Sequence, residues 1–142
     1  MVAEDKKEIE PRLNFPAKLK NTLIHTDRLK LKTILDHLIQ NAVRFTESGT
    51  IELGVKMLID NKLYVYVLDT GFGIDKDIVN SIIKPFVKGD KAYSERGVGI
   101  GLTIIKGLID LLGGTLSINS TLDTGSEFVI EIPVEFHQVA AE

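Results

Sequence analysis

Between Arg28 and Phe45, apolar side chains return every three or four positions: Leu31, Ile34, Leu35, Leu38, Ala42 and Phe45. That spacing lines one face of an α-helix, so the segment is predicted to be an amphipathic helix packed on a core. Asp27 stands just ahead of it and can cap its first turn, and Glu47-Ser48-Gly49 reads as its stop signal. The period then changes. Ile51, Leu53, Val55, Met57 and Ile59 alternate with mostly polar neighbours, which predicts a half-buried strand. Asp60-Asn61 makes a tight turn into a second strand, Lys62 to Leu68, so the two pair as a hairpin. A short helix is expected from Asp75 to Ile83, and another from Ile100 to Leu112, where Gly113-Gly114 stop it. Leu116 to Ser120 and Glu127 to Pro133 form a second hairpin, and Leu23 to Thr26 reads as a short strand. Residues 1 to about 15 are polar and punctuated by Pro11, which suggests a linker remnant or frayed end, and the tail from Glu135 shows no pattern.

Composition narrows the function classes. The 142 residues suffice for one domain with a core, and 44% hydrophobic with 26% charged residues is an ordinary globular balance. A net charge of −3 without a basic tract argues against nucleic-acid binding. The absence of cysteine excludes a disulfide framework and thiolate metal sites. No signal peptide is visible. The longest apolar stretch, Val98 to Leu112, is short and interrupted by Lys106 and Asp110, so no direct membrane contact is expected. The expected setting is cytoplasmic, within a parent protein that can itself be membrane-anchored.

Three stretches carry candidate chemistry. Gly97-Val98-Gly99-Ile100-Gly101-Leu102 places glycines at every second position where a helix opens, which offers backbone N–H groups and a positive dipole end to phosphate. It lacks the Lys-Ser/Thr ending of a P-loop, and a polar segment rather than a strand precedes it. A purely structural turn explains the motif equally well. On the first helix His37, Asn41 and Arg44 share one flank, which is either a solvated face or a functional one. Asn41 is a poor mid-helix residue whose amide oxygen could face a hard cation. Lys84 to Arg96 is polar and aperiodic apart from Phe86-Val87 and reads as a mobile lid.

Taken in order, with Asp69-Thr70-Gly71-Phe72-Gly73-Ile74 after the first hairpin, these pieces resemble the catalytic and ATP-binding domain of sensor histidine kinases. That family belongs to the group sharing an ATP-binding sandwich with gyrase, the Hsp90 chaperone and MutL. The resemblance covers residues 22 to 134, leaving 1–21 as a linker remnant or partly ordered segment and 135–142 as a tail. It implies an α/β (α+β) fold of the Bergerat type: a two-layer sandwich of a mixed, mostly antiparallel sheet and about three helices. Leu35 to Thr46 resembles the N box. This implies that Asn41 ligates the Mg²⁺ bridging the phosphates, that Arg44 reaches the phosphates, and that Phe45 lines the adenine pocket. In the first glycine box, Asp69 would accept a hydrogen bond from the adenine amino group, while Gly71, Gly73 and Ile74 border the nucleotide. Lys84 to Asp90 resembles the F box, with Phe86 anchoring the lid and Lys88 touching phosphate. Gly97 to Leu102 becomes the second glycine box, with Gly97, Val98, Gly99, Ile100, Gly101 and Leu102 around the phosphates. Ser126, in Gly125-Ser126-Glu127-Phe128, would help hold the adenine end.

One position departs from the family. Where another Asn usually stands four residues before Asn41, this chain has His37, which either coordinates or hydrogen-bonds near the nucleotide or merely packs. None of His25, His37 and His137 lies in the family's phosphoacceptor helix. The resemblance therefore implies binding of Mg·ATP and transfer of the γ-phosphoryl group to a histidine of a separate dimerisation and phosphoacceptor domain. Asn41, Arg44 and Lys88 would be the catalytic group, and a response regulator would act downstream in a two-component system. A nearer alternative is a regulatory module that binds the nucleotide without transferring phosphate. A remote one is an aspartic protease built on the Asp-Thr-Gly triplets at Asp69 and Asp123, against which the two long helices stand.

Overall fold

The computed structural model describes residues 7–77, 79 and 99–139. Its strands are β1 (Glu8–Asn14), β2 (Thr22–His25), β3 (Ser48–Ile59), β4 (Lys62–Asp69), β5 (Thr115–Thr121), β6 (Gly125–Pro133) and β7 (Glu135–Gln138); its helices are α1 (Arg28–Phe45) and α2 (Gly99–Leu111). Five strands form one sheet in the order β1-β3-β4-β6-β5, and β2 pairs with β7 in a small second sheet. β1 runs parallel to β3 while the other three pairings are antiparallel, so the sheet is mixed and mostly antiparallel. The helices cover one face of it, and this is the α+β sandwich the resemblance implied.

α1 begins where its sequence says it should. The Asp27 carboxylate accepts the Lys30 N–H at 3.1 Å, satisfying one of the free donors of the first turn. Ile34, Leu38, Ala42 and Phe45 are buried as one stripe against α2 and the sheet. Alternate residues of the central strands complete the core: Leu63, Val65 and Val67 from β4, and Phe128, Ile130 and Ile132 from β6. α2 contributes Leu102, Ile105 and Ile109. It ends in a Schellman arrangement, with Gly113 at φ +77° and the Gly114 N–H reaching the Ile109 carbonyl at 2.9 Å.

Several expectations need correction. Residues 8–14 are a strand rather than a frayed end, held by the parallel ladder to β3 and exposed over most of their length. Glu135–Gln138 is a strand, β7, rather than a patternless tail, and it is exposed at every position. Gly49 does not stop α1: the helix ends at Phe45 with Thr46 as its C-cap, and Gly49 lies within β3 against the Thr70 side chain. The alternation from Ile51 to Ile59 is broken where the register shifts between Val55 and Met57, leaving Ile59 exposed. Of the short helix expected after Asp75, the opening is described: Asp75 Oδ1 accepts the Asp77 N–H at 2.8 Å, and the Val79 N–H reaches the Asp75 carbonyl. The remainder of that helix, and the lid from Lys84 to Arg96, lie outside the described residues. Among the described residues, no helix is long and apolar enough to cross a membrane.

Candidate functional site

The site forms at the end of β4, where the chain leaves the sheet. Asp69 is only 2% exposed and sits in register between Ile51 of β3 and Ser126 of β6. It is the one buried carboxylate among the described residues, and no cation pairs with it there. Burial pushes its carboxyl above the usual carboxylate range, while the backbone N–H groups of Gly71 and Ser126 draw it back. The Gly71 N–H donates to Oδ1 at 2.9 Å. A buried carboxylate held by amides rather than by a cation keeps acceptor capacity for a ligand's N–H, which makes Asp69 a candidate functional group.

The loop that follows is pinned on both sides. The Phe72 N–H donates to the carbonyl of Phe45, the last residue of α1, at 2.9 Å. On the other side the Asp123 N–H reaches the Phe72 carbonyl at 2.6 Å, and the Ile74 N–H reaches Ser120 Oγ at 2.6 Å. Gly73 adopts φ +77°, and a Cβ there would collide with the Thr121 carbonyl, so both its conformation and its space require glycine. Gly71 lies equally close to the Phe45 carbonyl. These contacts seat the first glycine box between the C-terminal end of α1 and the β5–β6 turn. Ile74 is buried, while Phe72 remains exposed.

The flank of α1 does not behave as one face. Asn41 is 4% exposed and its Nδ2 has no hydrogen-bond partner among the described residues, whereas Arg44 is exposed and His37 is half-buried. A solvated polar face does not describe Asn41. A buried amide left unsatisfied is costly unless a ligand completes it. Phe45 is buried in the core and meets the loop through its carbonyl. Gly99, Ile100, Gly101 and Leu102 form the first turn of α2, which packs against α1, and Leu102 is buried. Phe86, Lys88, Gly97 and Val98 lie outside the described residues.

Two residues in this region escaped the sequence reading. Ser120 bonds the loop and contacts Ser126 Oγ at 2.7 Å. Its signal is faint: it continues the inward row of Leu116 and Ile118 with a hydroxyl. Thr46, fully buried with its hydroxyl unpaired among the described residues, follows α1 beside Gly71. Asp123, the second carboxylate of the protease alternative, is exposed in the β5–β6 turn at φ +64°, unlike the buried Asp69.

Residues 26–136 match the family described as histidine kinase-, DNA gyrase B-, and HSP90-like ATPase. Among curated proteins, the autoinducer 2 sensor kinase/phosphatase LuxQ of Vibrio vulnificus is 42% identical over 119 residues, covering 79% of this chain and 14% of that protein. The sensor histidine kinase AtsR of Burkholderia thailandensis is 31% identical over 118 residues, covering 80% of this chain and 20% of its own length. Among solved structures, full-length ShkA in complex with AMPPNP is similar with a TM-score of 0.74 at 30% identity, over 98% of this chain and 28% of that one. The nucleotide-free catalytic domain of the histidine kinase ThkA gives 0.69 at 27% identity, over 88% of this chain and 79% of that one. The chain thus spans 14% to 20% of the length of these curated relatives.

Proposed function

The chain belongs to the histidine kinase-, DNA gyrase B- and HSP90-like ATPase family, and on that footing we propose that it binds Mg·ATP and passes the γ-phosphoryl group to a histidine on a separate phosphoacceptor domain. The observation that carries the reading is Asp69: a buried carboxylate with no cation beside it among the described residues, at the mouth of a glycine loop. A carboxylate only accepts hydrogen bonds, so it suits the adenine amino group and repels the carbonyl that guanine carries at the same place.

Around it, the first turn of α2 would supply backbone N–H groups to the phosphates, since the first donors of any helix have no partner within it. Arg44, and Lys88 with Phe86 in the lid, would add charge and closure. Among the described residues no group of three or more His, Asp or Glu could hold a metal. A magnesium ion would be held by a side-chain oxygen together with phosphate oxygens and waters, which suits its preference. Asn41 would fit that part through its amide oxygen: the residue is buried, and its Nδ2, unpartnered among the described residues, leaves a donor for the same ligand. When bound with the nucleotide, the ion supplies charge neutralisation during transfer. His37 brings no oxygen donor one turn away, so the proposed site rests on Asn41. The nucleophile would come from outside, because His25 and His137 lie on β2 and β7 and His37 lies on α1, none of them on a phosphoacceptor hairpin. A response regulator would receive the phosphoryl group afterwards. The family leaves no place for the protease reading.

Two measurements test this. Calorimetry should show ATP binding that tightens with Mg²⁺, and Asn41→Ala should lose roughly tenfold in that Mg²⁺-dependent part; an unchanged increment would remove Asn41 from the metal. Incubated alone with γ-labelled ATP, the chain should remain unlabelled. Added to a sensor-kinase phosphoacceptor domain, it should produce an acid-labile label on the acceptor histidine. His37 supports one rival, the regulatory module, and binding without any transfer to such an acceptor would establish that instead.

A further inference from the structure

We infer that Ser120 is a positioning residue that sets adenine selectivity, through a polar row crossing three strands; this rests on the ATP-binding reading above. Ser120 of β5 stands opposite Ser126 of β6, and Ser126 stands opposite Asp69 of β4. The row ends on the carboxylate proposed to read adenine, and the Ser126 backbone N–H bonds that carboxylate. Ser120 itself does not border the carboxylate in the ladder.

Its hydroxyl has one proton and two lone pairs, and it faces three partners. The Ile74 N–H donates to Ser120 Oγ at 2.6 Å, which occupies one lone pair. The Ser120 proton then goes either to Ser126 Oγ at 2.7 Å or to the Gly125 carbonyl at 3.2 Å. The Gly125 carbonyl can only accept, and the contact between the two hydroxyls forms whichever of them donates, so all three contacts are satisfied when Ser120 donates to Gly125 and Ser126 donates to Ser120. With its hydrogen spent on Ser120, Ser126 turns only lone pairs to the adenine side, which suits an amino group and not a carbonyl. Ser120 therefore makes Ser126 an acceptor, while also tethering the glycine loop at Ile74. One half-buried oxygen couples loop position to hydrogen-bond polarity.

The test compares ATP and GTP affinities by calorimetry for wild type, Ser120→Ala and Ser120→Thr, with melting curves alongside. Ser120→Ala is expected to lose about tenfold in ATP affinity while GTP affinity changes little, so the ATP-to-GTP ratio narrows by about the same factor. Ser120→Thr, which retains the hydroxyl, is expected to restore both. An unchanged ratio overturns the inference, whether the affinities stay level or fall together and whatever the melting curves show. If Ser120→Ala does not fold, Ser120→Val against Ser120→Thr gives the same comparison at matched shape. Failure of wild type to bind ATP would instead overturn the proposed function.

Discussion

Asp69→Asn is expected to weaken ATP binding by about five- to 150-fold, the equivalent of roughly 1–3 kcal/mol, and at the same time to raise the melting midpoint at neutral pH. The loss follows from placing an amide, with its own N–H groups, where an acceptor-only carboxylate met an amine. The gain follows from the sign of the carboxyl shift. Burial, the largest influence, raises the folded-state pKa of Asp69 above its unfolded value. Between those two values the folded chain binds more protons than the unfolded chain, so stability rises as pH falls through the folded pKa. At neutral pH the wild type carries the buried charge at a cost that Asn removes. The difference in midpoint between variant and wild type should therefore shrink on acidification, while wild-type ATP affinity declines over the same window as the acceptor becomes protonated. Scanning calorimetry across pH and titration with ATP check the two halves separately. Unchanged affinity would remove Asp69 from adenine recognition, and a lower midpoint would show that the charge is not borne at a cost.

Ile105→Ala should be among the most damaging single truncations for stability. Ile105 is 0% exposed on α2, which packs against α1 and β5. Deleting its outer carbons there leaves a cavity bounded by a helix and a sheet that cannot easily collapse. A cost of about 2–5 kcal/mol is expected, a large share of a typical domain's stability, with a midpoint lower by roughly 6–15 °C. Its neighbour Ile104 is 41% exposed on the same helix. Ile104→Ala should stay within about 0.5 kcal/mol, and similar losses in both variants would contradict the assignment of the core face.

How much of this was legible in the sequence depends on whether an element buries a face of its own. α1 was readable to its bounds because one stripe of Leu, Ile and Phe and one capping Asp say the same thing. β4 and β6 were readable because alternate residues enter the core. β1 and β7 were not, since a ladder of backbone hydrogen bonds holds them and leaves their side chains in solvent. The shift after Val55 was hidden for a related reason: a bulge changes register without changing composition. In the site, Asp69 and the first glycine loop stood out by motif. The burial of Asn41 could not be separated from a polar flank by spacing alone, because His37 and Arg44 share that spacing and remain accessible to different degrees. Ser120 announced itself only as a hydroxyl in an apolar row.

The pairing of β2 with β7 also determines how the protein would respond to tension. Thr22, at the start of β2, lies opposite Gln138, at the end of β7, and just beyond them the Val139 N–H bonds the Asn21 carbonyl at 2.7 Å. A pull on the chain after Val139 therefore acts on one rung at a time, opening the four-residue ladder like a zip toward the stacked pair of His25 and His137. A pull on the chain before Glu8 runs along β1 instead and loads its seven-residue ladder to β3 in shear, with the rungs sharing the force. One side of the domain should yield at low force and the other resist, so mechanical strain arriving from a following segment would be spent on β7 before it reached Asp69.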